Sequence, residues 1–200
     1  IGWGLNCVAG LDSQIALEDA KSADSDLASG HLRGPLHGVP LAHKDMFFKS
    51  GRVSACGSRI LAGFVPQNTA TVLSRLGAAG ALDIARLNMV EFATGASVFG
   101  HNIITNTPKN PWNPNYVTGG SSSGSGSAVA ARLVYGALAS DTGGSLRIPA
   151  SCCGLVGIKP TYGRVSRYGA MPLAFSLDHP GVVTRTISDC ALLLGVIAGY

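Results

Sequence analysis

The chain has 200 residues, of which 46% are hydrophobic, 13% are charged and 27 are glycine. Because charged residues make up about 25% of an ordinary globular domain, this composition excludes a disordered chain or a low-complexity linker. The formal charge is +4 and the basic residues are scattered singly, which argues against direct nucleic-acid binding. No apolar stretch reaches the ~20 uncharged residues that a membrane-spanning helix needs.

So few charged residues cannot cover the surface of an isolated globule, which indicates the core-rich part of a larger one. The start at Ile1, without a basic segment before an apolar one, is typical of a truncated or processed chain and not of a signal peptide. The five cysteines show no CxxC spacing, so we expect reduced, buried thiols in a cytoplasmic protein. No His, Cys, Asp or Glu cluster has metal-ligand spacing, and we expect no metal and no other cofactor.

Helix and strand patterns alternate along the chain. Apolar residues at helical spacing predict a helix over residues 13–30, and the apolar residues 38–43 predict a buried strand that ends at Lys44. Later patterns predict a helix (71–80), a strand (81–85), a short helix (89–94), a proline-rich loop (106–114), a helix (128–135), a strand (136–140) and a closing helix (188–199). This order favours a single α/β domain over residues 1–200, with a mixed, largely parallel sheet covered by helices on both faces.

A run of glycine and serine, GGSSSGSGS, occupies residues 119–127 directly before an apolar helical pattern. A flexible linker does not normally open a core helix. Backbone N–H groups at the start of a helix favour anions, so a phosphate site is a second interpretation. The run lacks both the GK[ST] ending of a P-loop and the strand-linked GxGxxG of a dinucleotide site, which leaves little support for phosphate binding.

A second run, DTGGSLRIP at residues 141–149, places small residues directly before Ser145. Successive N–H groups can converge there as an oxyanion hole for acyl transfer, with Ser145 as the nucleophile. A serine also needs a base. His179, beside Asp178, is one candidate. Lys44 is another, because burial at the end of an apolar strand lowers the pKa of an amine from about 10.4 towards about 7; an exposed Lys44 paired with Asp45 is the purely structural alternative.

Together, GGSSSG at residues 119–124 and DTGGSLRIPA at residues 141–150 resemble the signature of the amidase signature family. The similarity extends to GPLHGVPLAHKD at residues 34–45, NMVEF at residues 88–92 and GIKPTYGRVSR at residues 157–167. The resemblance implies a Ser-cisSer-Lys triad of Ser145 as nucleophile, Ser121 as bridging serine after a cis bond from Gly120, and Lys44 as base. It also implies oxyanion donors from the backbone of Thr142, Gly143, Gly144 and Ser145, with Ser122 and Arg147 as supporting residues.

Three features depart from the family pattern. His43 stands where family members usually have an aliphatic residue, and strand alternation predicts that its side chain points away from the site. The residues 85–88 read ARLN in place of the usual GKTN, which we expect to affect packing more than chemistry. Family domains are also much longer, so the chain resembles an N-terminal portion of one.

The resemblance implies a cytoplasmic hydrolase of small-molecule carboxylic amides that acts through an acyl-enzyme. It implies no membrane partner and leaves the oligomeric state open. The first alternative is the glutaminase component of glutamyl- or aspartyl-tRNA amidotransferase, the A subunit, which reaches tRNA only through partner subunits. Ile148, where those proteins usually have glutamine, favours the free amidase. The second alternative is a catalytically inactive fragment, whose unpaired strand edges would promote aggregation.

Overall fold

The structure, a computed structural model, describes residues 4–95, 104 and 106–199. Its strands are β1 (Val8–Leu11), β2 (Pro40–Lys44), β3 (Leu82–Leu87), β4 (Gly136–Asp141), β5 (Val156–Ile158) and β6 (His179–Thr184). Its α-helices are α1 (Ser13–Ala28), α2 (Thr71–Ala78), α3 (Ser123–Ala130), α4 (Arg147–Cys152) and α5 (Ile187–Ile197), and 3-10 helices lie at Arg59–Leu61 and Glu91–Ala93. Across the described part of the chain, no helix combines the length and apolar character needed to cross a membrane.

One sheet contains these strands in the order β1-β3-β2-β4-β6-β5. Its centre is parallel, because β2 pairs in parallel with β3 on one side and with β4 on the other. The pairs β1–β3, β4–β6 and β5–β6 are antiparallel. The predicted α/β class with a mixed sheet is confirmed, and the parallel part is narrower than expected. Strands β1, β5 and β6 were not predicted, and β5 reaches β6 without the crossover helix that a parallel pair requires.

Two apolar clusters, one on each face of the sheet, hold the helices. In one cluster, helix α3 packs on the central strands through contacts among Ala128, Val129, Ala42 and Ala137. The opposite cluster joins α2 and α5 to the same strands through Val72, Leu76, Leu193, Leu41 and Leu138. Helices therefore cover both faces, as the alternating patterns predicted.

Most predicted elements are present with their ends moved by a few residues. Helix α1 stops before Gly30, which has a φ of 77° that favours glycine. The short helix predicted over residues 89–94 is the 3-10 helix Glu91–Ala93. The helix predicted over residues 128–135 is wrong in position, because α3 begins at Ser123 inside the glycine and serine run and ends before Arg132, whose φ is 61°.

Candidate active site

Lys44, the last residue of β2, is completely buried. Its Nζ lies 2.7 Å from Ser121 Oγ and 2.9 Å from Ser140 Oγ. Burial lowers the pKa of Lys44 to about 7, against smaller raising effects of Cys56, Asp141 and Asp178. An exposed Lys44 paired with Asp45 is therefore wrong: the carboxylate of Asp45 pairs instead with Arg86, at 2.7 Å.

Ser140 is a partner of Lys44 that the sequence analysis missed. Its hydroxyl donates to Met46 Sδ at 3.0 Å and accepts from Lys44 Nζ. Ser140 is therefore a second hydroxyl in contact with the amine of Lys44, beside that of Ser121. Strands β2 and β4 are parallel neighbours, with His43 opposite Leu138. Pairing these two predicted strands by their carboxyl ends could have found Ser140.

The start of α3 brings the two glycine-rich segments, residues 119–127 and 141–149, together in space. The peptide bond between Gly120 and Ser121 is cis, as the resemblance implies. The N–H of Ser122 donates to the carbonyl of Ser145 at 3.0 Å, and the hydroxyl of Ser122 donates to the carbonyl of Ser140 at 3.2 Å. Ser122 therefore connects the first glycine-rich segment to the second through its backbone and to strand β4 through its side chain.

Ser145 lies in the turn between β4 and α4, and 6% of the residue is exposed. The carboxylate of Asp141 holds this turn by accepting from the N–H groups of Gly144 at 2.8 Å, Leu146 at 3.3 Å and Arg147 at 3.3 Å. The guanidinium of Arg147 adds two hydrogen bonds, at 2.9 and 3.0 Å. Burial raises the pKa of Asp141, but these donors outweigh burial and hold that pKa below its ordinary range. Asp141 is thus a fixed anion around which the turn is built.

The hydrogen bonds of this turn bear on the predicted oxyanion donors. The N–H of Gly144 is engaged by Asp141. Within the described residues, the N–H groups of Thr142, Gly143 and Ser145 and the hydroxyl of Ser145 donate to no protein acceptor. The Thr142 hydroxyl donates to Asp178 Oδ1 at 2.5 Å. The side chain of Lys44 thus contacts the side chain of Ser121 directly. Ser121 is connected to Ser145 through the backbone N–H of the next residue, Ser122, which donates to the carbonyl of Ser145.

Neither of the two histidines considered from the sequence, His43 and His179, makes a hydrogen bond to Lys44, Ser121 or Ser145 within the described residues. His179 Nδ1 is 2.6 Å from the carbonyl of Leu177, and its Nε2 is 3.4 Å from Lys159 Nζ. His43 Nδ1 is 2.7 Å from Asp83 Oδ1. His43 directly precedes Lys44 in β2, and the side chains of successive strand residues face opposite sides of the sheet. The prediction that His43 points away from Lys44 is confirmed.

A cavity of about 370 Å³ borders this group of residues. Ser140 and Met46 line it together with several residues of the segment 167–180. Within the described residues, no three His, Cys, Asp or Glu side chains are grouped so that they could hold a metal ion.

Comparison with known proteins identifies the family. Residues 3–200 match the family model described as Amidase. The chain belongs to the Amidase family. Its sequence is 50% identical over 196 residues to the A subunit of glutamyl-tRNA(Gln) amidotransferase from Burkholderia thailandensis and from Methylococcus capsulatus, a match that covers 98% of this chain and 39% and 40% of those proteins. The chain spans about two fifths of the length of these relatives.

Solved structures give the same result for the fold. The native peptide amidase from Stenotrophomonas maltophilia has a TM-score of 0.94 and 39% identity, and the match covers 100% of this Amidase family chain and 41% of that chain. The A subunit of glutamyl-tRNA(Gln) amidotransferase from Thermotoga maritima has a TM-score of 0.80 and 45% identity, covering 84% of this chain and 36% of that one. Membership of the family supports amide hydrolysis in general.

Proposed function

We propose that this protein hydrolyses carboxylic amides through an acyl-enzyme formed on Ser145. The observation that carries the proposal is the buried amine of Lys44, 2.7 Å from Ser121 Oγ. With a pKa of about 7, a large fraction of this amine is neutral at neutral pH and can accept a proton. Family membership supports an amide as the bond that is cleaved.

The first half of the reaction acylates Ser145. Ser145 Oγ attacks the amide carbonyl while its proton passes to Ser121, and the proton of Ser121 passes to Lys44. The N–H groups of Thr142, Gly143 and Ser145 stabilise the oxyanion that forms. Gly144, which belongs to the predicted set of donors, contributes by fixing the turn through Asp141. As the C–N bond breaks, Ser121 protonates the leaving amine and recovers a proton from Lys44.

The second half releases the acid. A water molecule attacks the ester carbonyl and gives its proton through Ser121 to Lys44. The C–O bond to Ser145 then breaks, and Ser145 takes a proton back along the same path. Three residues act by position: Gly120 places Ser121, Ser122 joins the two glycine-rich segments, and Arg147 binds the carboxylate of Asp141. The steps use side chains and backbone N–H groups of this chain together with one water molecule, and no cofactor takes part.

A fluorophosphonate probe tests this proposal. We expect the probe to modify Ser145, as located by mass spectrometry, with complete loss in Ser145→Ala and a loss on the order of a thousandfold in rate in Lys44→Ala. Ser151→Ala, a matched change at an exposed serine of α4, should label normally. A folded protein that is not labelled at Ser145 would overturn the assignment and favour the inactive alternative.

A second candidate is the glutaminase component of a tRNA amidotransferase. It is favoured by the 50% identity to the A subunit of glutamyl-tRNA(Gln) amidotransferase, which exceeds the 39% identity to the solved peptide amidase. Ile148, which replaces the usual glutamine, favours the free amidase instead. Glutaminase activity that rises only when partner subunits and charged tRNA are added would decide for the second candidate.

We further propose that the protein works in the cytoplasm. All five cysteines are free and four of them are buried, which supports a reducing compartment. Fractionation of cells that produce the protein tests this directly: recovery in a secreted or membrane fraction would contradict it.

A further inference from the structure

The strand that carries Lys44 pairs irregularly with its neighbour β3. Leu41 lies opposite Asp83, but the next residue of β2 lies opposite Ala85, so β3 contains one extra residue at this point. A β-bulge of this kind interrupts the ladder of backbone hydrogen bonds and changes the direction of the side chains that follow it. Lys44 ends β2 directly after the bulge, so the direction of its side chain depends on how the bulge is held.

A hydrogen bond between two side chains crosses this bulge. His43, in β2 beyond the bulge, has its Nδ1 2.7 Å from Oδ1 of Asp83, in β3 before the bulge. Burial raises the pKa of Asp83, but His43 and Lys49 outweigh burial and hold that pKa below its ordinary range. An ionised carboxylate only accepts hydrogen bonds, so Nδ1 of His43 is the donor.

The same carboxylate also holds the chain on the other side of Lys44. Its Oδ2 accepts from Lys49 Nζ at 2.7 Å and lies 4.0 Å from Nη1 of Arg52. Arg52 in turn lies 3.1 Å from a carboxylate oxygen of Asp12, the residue before α1. Asp83 thus holds both the residue directly before Lys44 and a residue of the loop that follows it.

The stability of the fold does not by itself explain a histidine at position 43. His43 is 1% exposed, and within the described part of the chain its Nε2 has no hydrogen-bond partner. The charges beside it, Asp45 and Arg86, pair with each other at 2.7 Å. An unpaired polar nitrogen in the interior is unfavourable, and an aliphatic side chain would fill this place without one. A core residue that breaks this rule indicates a role in function.

We propose that the hydrogen bond across the bulge, from His43 to Asp83, positions the amine of Lys44. This inference rests on the proposed function, since it assigns positioning residues to that same site. A proton passes between Lys44 Nζ and Ser121 Oγ only while they stay in hydrogen-bond contact, here at 2.7 Å. Without the bond across the bulge the end of β2 can relax, and a displacement on the order of 1 Å lowers a rate on the order of a hundredfold.

The rate at which the fluorophosphonate probe labels Ser145 in the whole chain tests this proposal. We expect His43→Leu to lower that rate about thirtyfold, because leucine fits a buried strand position but cannot bond to Asp83. His43→Asn, whose amide N–H can still donate to Asp83, should stay within about threefold of the wild type. Equal losses in the two variants, or a normal rate in His43→Leu, would overturn the proposal.

A double variant identifies the bond itself. Asp83→Ala removes the acceptor of His43, also releases Lys49, and should slow labelling on the order of a hundredfold. The double variant His43→Leu, Asp83→Ala should be no slower than Asp83→Ala alone, because both changes remove the same bond. Losses that multiply would show that the two residues act independently, which contradicts the proposal. Asp26→Ala removes a carboxylate of α1 that pairs with Arg33 at 2.5 Å, and as the matched control it should label normally.

The pH profile and the thermal stability separate positioning from a general loss of structure. In His43→Leu the pH midpoint of labelling should move up by about one unit, because an amine that leaves its buried position is better solvated and keeps its proton to higher pH. The Tm should not fall, because leucine also removes the unpaired Nε2. An unchanged midpoint together with a lower Tm would mean that His43 has only a structural role.

A second histidine serves as the control for these two measurements. His37, before the other end of β2, accepts from the N–H of Arg33 and lies 3.0 Å from the carbonyl of Ala23. His37→Leu should lower the Tm without moving the midpoint. The wild type separates the two hypotheses: a folded wild type that is not labelled contradicts the proposed function, whereas a labelled wild type with an equally reactive His43→Leu contradicts only the positioning role.

Discussion

The chemistry proposed for this protein depends on one buried amine. Lys44 has no exposed surface, and the groups that contact its Nζ are neutral hydroxyls. Burial disfavours the ammonium form, while the more distant carboxylates of Asp141 and Asp178 compensate only in part. The result is a lysine whose pKa falls from an ordinary 10.5 to about 7. Such an amine can serve as a base near neutral pH.

The pH dependence of hydrolysis follows from this pKa. We expect kcat/KM to fall about tenfold per pH unit below pH 7 and to level off above it, because the neutral form of Lys44 is the active one. Steady-state rates for one uncharged amide across this range give the profile. Lys21→Met, at an exposed lysine of α1, should leave the profile unchanged. A rate that is constant well below pH 7 would show that Lys44 is not the base.

The same burial makes Lys44 unfavourable for stability. An unfolded chain binds a proton at Lys44 up to pH 10.5, whereas the folded chain releases it near pH 7. Burial of Lys44 therefore reduces the free energy of unfolding at pH 7. The reduction is roughly 1.4 kcal/mol for each unit by which burial lowers the pKa of Lys44. The stability of the wild type should rise as the pH increases from about 7 to 10.5.

We expect Lys44→Met to increase the free energy of unfolding by about 3 kcal/mol at pH 7, after allowing about 1 kcal/mol for each hydrogen bond lost. The gain should shrink steadily as the pH rises and should disappear before pH 10.5, where the unfolded lysine also becomes neutral. Denaturant unfolding at several pH values measures both quantities, with Lys21→Met as the control. A gain that does not change with pH would mean that better packing, and not the lysine charge, explains it.

At the scale of elements, glycine and serine build a helix and not a loop. All residues of α3 from Ser123 to Val129 are buried. A Cβ placed on Gly124 would lie 2.5 Å from the backbone N of Asn88 and 2.5 Å from the carbonyl O of Cys7. Small residues therefore let this helix approach the backbone of neighbouring segments, and that approach brings Ser121 to the end of β2.

A matched pair of glycine substitutions tests this explanation. We expect Gly124→Ala to destabilise the protein by about 2 kcal/mol, because the new methyl group meets backbone atoms that cannot rotate away. Gly195→Ala in α5 has nothing within 4 Å of the new Cβ and should stabilise by about 1 kcal/mol through helix propensity. Thermal unfolding of both variants gives the comparison. Equal effects at the two positions would show that close packing of α3 is not the reason for its composition.

Sequence patterns predicted those parts of the fold that depend on local periodicity. Helix α1 is an example, because its apolar residues recur at helical spacing, and strand β2 is another, because it belongs to a short apolar run. Helix α3 was placed too late, since buried serine and glycine give no apolar periodicity. Strand β1, Val8–Leu11, was missed because its four residues carry neither alternation nor a long apolar run. Its place depends on pairing with β3, a contact between distant parts of the chain.

In the candidate site too, local patterns predicted some residues, whereas residues fixed by contacts between distant segments were missed. Lys44, Ser121 and Ser145 were selected from their motifs, and the structure places Ser121 against Lys44. Ser140 was missed because it lies in an apolar strand, where a single serine resembles an ordinary core residue. Asp141 was quoted only as part of a motif, although it accepts five hydrogen bonds from the turn of Ser145. These partners are specified by strand pairing and turn geometry, which no local pattern contains.

At the scale of the molecule, one side of the structure is more apolar than a free surface normally is. Helix α5 has a single charged residue, Asp189, in the sequence ISDCALLLGVI. A helix that is apolar on all sides is usually buried, yet Ile187 is 76% exposed and Leu192 is 45% exposed. Strand β5, on which α5 also packs, lies at the edge of the described sheet. An open sheet edge beside an apolar helix face is a surface that favours association.

We expect the 200-residue chain to self-associate through this surface, because association removes both the apolar side chains and the open edge from water. Sedimentation velocity over a range of protein concentrations measures the effect. The double variant Ile187→Lys, Leu192→Lys should shift the chain towards monomer, since two unpaired ammonium groups oppose burial of the face. Ile60→Lys, at a side chain 82% exposed on the 3-10 helix Arg59–Leu61, is the matched control and should not. If the wild-type chain is instead a monomer that unfolds cooperatively at all concentrations, the apolar face of α5 is tolerated in water, and the catalytically inactive alternative loses its main physical support.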